Sequence, residues 1–122
     1  MNVLVDTSVW PLALRRRRSE LSSDEKALTR ELADLIRGDR VLMIGPIRQE
    51  LLSGLRNDAQ FEQLRKRLTD FADEPLLTAD FEEAARDYNL CRAAGIAGSP
   101  IDVLLCAVAR RHAPSHLRLI AA

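Results

Sequence analysis

Aromatic residues are scarce, with one Trp, one Tyr and three Phe in 122 residues, and lysine is nearly missing, at Lys26 and Lys66 alone. The two cysteines are too few for a disulfide framework, and Cys91 and Cys106 fall in helical patterns rather than in a metal or redox spacing. No apolar run approaches the roughly 20 residues that a bilayer-spanning helix needs. Met1-Asn2 leads straight into apolar residues, without the basic segment, apolar core and cleavage site of an export signal. A soluble protein of a reducing, cytoplasmic compartment is therefore expected. An excess of either charge is also lacking, because 18 basic residues balance 18 acidic ones, so net charge offers no argument for nucleic acid. Sixteen of the basic residues are Arg, which suits bidentate phosphate recognition, although a GC-rich genome biases codons the same way.

What is present is a globular balance of 47% hydrophobic and 30% charged residues, in a length that fits one domain over residues 1–122. Val3-Leu4-Val5 reads as a buried strand ending at Asp6-Thr7-Ser8. Val9 to Leu14 reads as a short helix or turn, and Arg15 to Ser19 as a solvated loop. Ser22 with Glu25 forms a capping-box pattern ahead of a helix carrying Leu28, Leu32, Leu35 and Ile36 and stopping at Gly38. Val41 to Ile44 is the second strand, and Gly45-Pro46 opens a helix buried through Ile47, Leu51 and Leu55. Phe61, Leu64, Leu68 and Phe71 mark another amphipathic stretch. Pro75-Leu76-Leu77 is an edge or connecting strand, and Thr78 caps a helix running to about Ala94, where Gly95 stops it. Ser99 caps, and Pro100 begins, a helix to about Arg111 that is apolar nearly all round and so should be central. Pro114 breaks it before a last strand over Leu117 to Ala122. Strands alternating with helices predict an α/β domain with a mostly parallel sheet.

Three acids occupy telling places. Asp6 ends the first strand, where ligands of open parallel sheets bind, although helix capping explains it equally well. Glu50 stands beside the apolar face of its helix, as an ordinary solvated glutamate also would. Asp102 lies in the first turn of the most hydrophobic helix, where the helix dipole favours a carboxylate in any case. Brought together, three carboxylates repel one another, and a divalent cation offsets that cost. Oxygen donors point to Mg²⁺ or Mn²⁺. His112 and His116 do not form a zinc pair, because Pro114 interrupts the helix between them.

Val3-Leu4-Val5-Asp6-Thr7-Ser8-Val9-Trp10, Pro46-Ile47-Arg48-Gln49-Glu50-Leu51-Leu52-Ser53-Gly54 and Ser99-Pro100-Ile101-Asp102-Val103-Leu104-Leu105-Cys106-Ala107-Val108-Ala109 resemble, in order and spacing, the three acidic motifs of PIN-domain ribonucleases. The chain is similar to the VapC-type toxin half of a VapBC toxin–antitoxin pair. The resemblance implies a three-layer α/β/α domain, a divalent-metal site and endoribonuclease activity. It also implies that Asp6, Glu50 and Asp102 are the catalytic and metal-site acids, with Thr7 or Ser8 hydrogen-bonding within the site. A cognate VapB-type antitoxin and a homodimer are implied as partners. Family members commonly carry a further Asp after the final strand, whereas this sequence ends at Leu119-Ile120-Ala121-Ala122. The expectation is that this strand is cut short at the carboxyl end or that the fourth acid is missing.

In this reading a metal held by the acids activates water for in-line attack on an RNA phosphodiester. An acidic pocket repels the RNA backbone, so basic groups on its rim must attract it. Arg15, Arg16, Arg17, Arg18 and Arg48 are the candidates, against the plainer reading of a solvated charge run. A catalytically inactive PIN-like RNA- or protein-binding module is the alternative. A phosphoaccepting receiver domain fits poorly, because Asp6 stands without an acidic neighbour and no Lys lies near the last strand.

Overall fold

Strand β1, Val3–Val5, lies between two parallel neighbours, β2 at Val41–Leu42 and β3 at Arg118–Ile120, in the order β2-β1-β3. Val3 pairs with Val41 on one side, and Val3, Leu4 and Val5 pair with Arg118, Leu119 and Ile120 on the other. All three β1 side chains are buried, as a strand covered on both faces requires. The computed structural model describes residues 3–14, 18–38, 40–112 and 118–120.

Parallel neighbours need long crossovers, and helices supply them. Between β1 and β2 run α1, Trp10–Leu14, a short 3-10 turn at Arg18–Glu20 and α2, Ser23–Arg37. Between β2 and β3 run α3, Gly45–Leu52, α4, Asp58–Leu68, α5, Thr78–Ala93, and α6, Pro100–Arg111. Helices packed about a buried parallel sheet give the expected three-layer α/β/α architecture. The core gathers Val3, Leu4, Val5, Val9, Trp10, Ile44, Ile47, Leu105 and Val108.

Helix ends follow local chemistry. Ser22 Oγ accepts from the Glu25 N–H and Glu25 Oε1 accepts from the Ser22 N–H, at 3.2 and 2.9 Å, completing the predicted capping box of α2. Ser99 Oγ accepts from the Asp102 N–H at 3.1 Å, and Pro100 opens α6 as expected. Gly95, at φ +73°, follows the end of α5 in the left-handed region that favours glycine. At the other end of α5 the N-cap is Leu77 rather than Thr78, and its N–H is satisfied by Asp80 Oδ2 at 2.9 Å.

Three further expectations need correction. The second strand pairs only at Val41–Leu42, because Met43 leaves the ladder to form an isolated parallel bridge with Asp73. Pro75 to Leu77 form no strand. The Glu74 N–H reaches Met43 O at 2.6 Å, and Pro75, without an N–H, cannot continue the ladder. Helix α6 is one-sided rather than apolar all round: Leu104, Leu105, Ala107 and Val108 are buried, whereas Asp102, Cys106 and Arg110 are exposed. The short last strand is described at Arg118–Ile120, while Pro114, His116, Leu117, Ala121 and Ala122 lie outside the described residues. Among the described residues no helix is long and apolar enough to cross a membrane.

Candidate active site

Asp6 leaves the carboxyl end of the central strand, half-buried, at the sheet edge where parallel α/β folds bind ligands. Its position is fixed from below. Val5 is buried, and the indole Nε1 of Trp10 donates to Val5 O at 3.2 Å. The Val9 N–H donates to Asp6 O at 3.0 Å, closing the turn that starts α1. Ser8 Oγ donates to Asp6 Oδ2 at 2.6 Å, and Thr7 Oγ1 stands 3.5 Å from Oδ1. Of the two hydroxyls, Ser8 makes the close hydrogen bond.

Glu50 is carried by the helix that follows β2. The chain turns at Ile44 and Gly45 directly into α3, whose buried face is Ile47 and Leu51, leaving Glu50 exposed on the adjoining face. Asp102 stands exposed in the first turn of α6. Because α6 precedes β3 and must return the chain to the start of a parallel strand, topology puts its first turn toward the carboxyl edge of the sheet. Asp6 and the first turn of α6 thus face one edge, and α3, which carries Glu50 in its last turn, departs from the same edge. The three acids are not drawn into one cluster: among the described residues, no group of three or more Asp, Glu, His or Cys could hold a metal ion. The Thr7 and Ser8 hydroxyls that meet the Asp6 carboxylate are oxygen groups of the kind a hard divalent cation takes.

Of the basic residues expected around the site, Arg15, Arg16 and Arg17 lie outside the described residues, and Arg18 opens the 3-10 turn. Arg48 is committed to the protein itself. Its Nε donates to Asp73 Oδ1 at 3.0 Å, Nη1 to Leu68 O at 2.9 Å and Nη2 to Phe71 O. A guanidinium so engaged is an internal tie rather than the free phosphate contact expected of it. Sequence reasoning passed over Asp73 and Phe71 as its partners, and no local pattern marks them, because they lie more than twenty residues from Arg48.

Away from this edge, His112 caps the end of α6 with Nε2 at 2.7 Å from Glu74 Oε1. Asp80, a buried acid at the start of α5, pairs with Arg111 Nε at 2.8 Å. Burial alone would raise the Asp80 carboxyl, but hydrogen bonds from Arg111 and the Leu77 N–H, together with the nearby charges of Arg111 and His112, hold it below the usual carboxylate range. This pair joins two helices and lies apart from the three acids.

The family model described as the PIN domain matches residues 3–117, which takes in all three acidic motifs and nearly the whole chain. PIN domains are generally metal-dependent nucleases acting on RNA. The sheet order, the strand-end aspartate and this match agree: the chain belongs to the PIN-domain family.

Proposed function

We propose that this PIN domain is an endoribonuclease dependent on Mg²⁺ or Mn²⁺ and serves as the VapC-type toxin of a toxin–antitoxin pair. The observation that carries the nuclease reading is Asp6, fixed at the carboxyl end of the central strand and oriented by Ser8. Asp6, Glu50 and Asp102 would hold the divalent cation, which would supply polarisation of the scissile phosphate and of the attacking water. The chain's own residues set the geometry. Asp6 offers carboxylate oxygens from a rigid strand end, Ser8 fixes one of them, and Asp102 benefits from the amino-terminal dipole of α6. Arg15 to Arg18 follow the first motif and supply positive charge for the RNA backbone. A VapB-type antitoxin covering the acidic edge, and pairing of two copies, complete the proposal.

Cleavage of folded transfer RNA by the antitoxin-free protein with Mn²⁺ tests it, beside chelated and Asp6→Asn samples. Cleavage lost in both controls supports the reading, and activity retained by a folded Asp6→Asn protein overturns the role of Asp6. A second reading, the inactive PIN-like binding module, draws on the acids' failure to form a three-membered group among the described residues. Mn²⁺ binding without cleavage of RNA distinguishes that module.

A further inference from the structure

Helix α3, which carries Glu50, is anchored at its start by the buried Ile44 but not by a capping side chain. It is eight residues long, its N-cap Ile44 provides no side-chain hydrogen bond, and a Cβ added at Gly45 would meet nothing within 4 Å. Ile47 and Leu51 seat one face on the core. Arg48 adds a polar constraint, and its partners are Leu68, the last residue of α4, and the segment that follows it.

That segment is fastened at three points. Leu68 is buried in the core. The Phe71 ring meets Trp10 edge to face, with centroids 5.2 Å apart and planes at 74°, a favoured aromatic geometry. Asp73 bridges Met43 at the end of β2, and the Glu74 N–H donates to Met43 O. Arg48 grips the same segment through Leu68 O, Phe71 O and Asp73. Trp10, only 1% exposed, in turn donates to Val5 O, one residue before Asp6.

Resting on the proposed metal-nuclease reading, we infer that Arg48 and Trp10 are positioning residues: through Phe71 they link the helix bearing Glu50 to the strand end bearing Asp6 and set the spacing of the two carboxylates. A planar guanidinium suits this task, because it can donate to two carbonyls and a carboxylate at once in a fixed fork, whereas an ammonium cannot hold the same directions. Hydrogen bonds made directly to metal ligands change metal affinity about 10- to 100-fold when removed, and ties that act through the backbone, as these do, are expected below that range.

The test is calorimetric titration of the folded protein with Mn²⁺ alone, alongside kcat and KM for RNA cleavage, in wild type, Arg48→Gln, Asp73→Asn and Trp10→Phe. Arg48→Gln is expected to weaken Mn²⁺ binding several-fold, up to about tenfold, and to lower kcat while leaving KM for RNA unchanged. Trp10→Phe keeps an aromatic ring beside Phe71 but loses the N–H and part of the indole volume, and is expected to move the same two quantities in the same direction. Combined with Arg48→Gln it should cost less than the product of the separate effects, as coupled residues in one packed network do. Asp73 is 47% exposed, so its substitution keeps the readout available if Arg48→Gln fails to fold. Wild-type Mn²⁺ binding matched by all folded variants overturns the positioning role alone. Absence of Mn²⁺ binding by wild type overturns the metal-site reading, and this inference with it.

Discussion

Arg111 Nε donates to Asp80 Oδ1 across 2.8 Å and so joins the last turn of α6 to the first turn of α5. Asp80 is 2% exposed, the one buried charged side chain among the described residues, whereas Arg111 also reaches Pro75 O and partly meets solvent. Removing the two partners should therefore have unequal effects. Arg111→Met leaves a buried carboxylate without its cation and is expected to cost about 3 kcal/mol or more. Asp80→Asn leaves an arginine that can turn to water and should cost less. Urea unfolding of the two variants beside wild type measures the difference.

The pair also predicts an acid dependence. Because the folded Asp80 carboxyl lies below its ordinary value, its contribution to stability is fully present above the ordinary carboxylate range. It is lost as pH falls through that range toward the lowered folded value. Denaturant unfolding from pH 7 to pH 3 should show the gap between wild type and Asp80→Asn narrowing on acidification. A gap that stays constant with pH would show that Asp80 is not held ionised by Arg111.

Gly95 gives a purely backbone prediction. At φ +73° it occupies a conformation that side-chain-bearing residues rarely adopt, yet a Cβ there would meet no atom within 4 Å. Gly95→Ala should thus cost about 1 kcal/mol through strain alone, without any change in packing. Gly98 has equally open surroundings and no positive φ, so Gly98→Ala should be neutral or slightly stabilising. Equal unfolding midpoints for the two variants would contradict the conformational account.

These features differ in how far the sequence reveals them. The capping box at Ser22 and Glu25, the Ser99-Pro100 helix start and the strand ending at Asp6 depend on neighbouring residues, and local chemistry is written in local sequence. Pairings over distance are not. Arg48 reads as a surface arginine on α3 until Leu68, Phe71 and Asp73 arrive beside it, and Asp80 reads as one more helix acid until Arg111 folds over it. The apparent all-round apolarity of α6 misleads for a similar reason. Cys106 counts as apolar in a pattern, but packing leaves it exposed.

The cluster Arg15 to Arg18 predicts a salt effect. If these arginines meet RNA phosphates, replacing all four by Gln should weaken binding at low salt. It should also flatten the dependence of log Kd on log salt, by about 0.7 for each single-strand phosphate no longer neutralised. Filter binding from 50 to 300 mM salt, about the range where such attractions are screened, reads this directly. An unchanged slope would place the RNA-binding charge elsewhere on the surface.

Ser8 separates the positioning of Asp6 from the folding of the chain. Its hydroxyl is exposed and donates to Asp6 Oδ2 at 2.6 Å, so Ser8→Ala removes the restraint on that carboxylate without opening a cavity. Stability should change by no more than about 0.5 kcal/mol, as for other surface sites. Mn²⁺-dependent cleavage should nevertheless fall roughly tenfold, because a carboxylate free to rotate spends less time in the productive orientation. Ser8→Thr keeps the hydroxyl and should restore most of the rate. Thr7→Ala should have the smaller effect, since its hydroxyl stands at the limit of hydrogen bonding, 3.5 Å from Oδ1. Should Ser8→Ala and Thr7→Ala reduce the rate equally while both remain folded, the Ser8 hydrogen bond would not be what orients Asp6, and the turn from Asp6 to Val9 would carry that role instead.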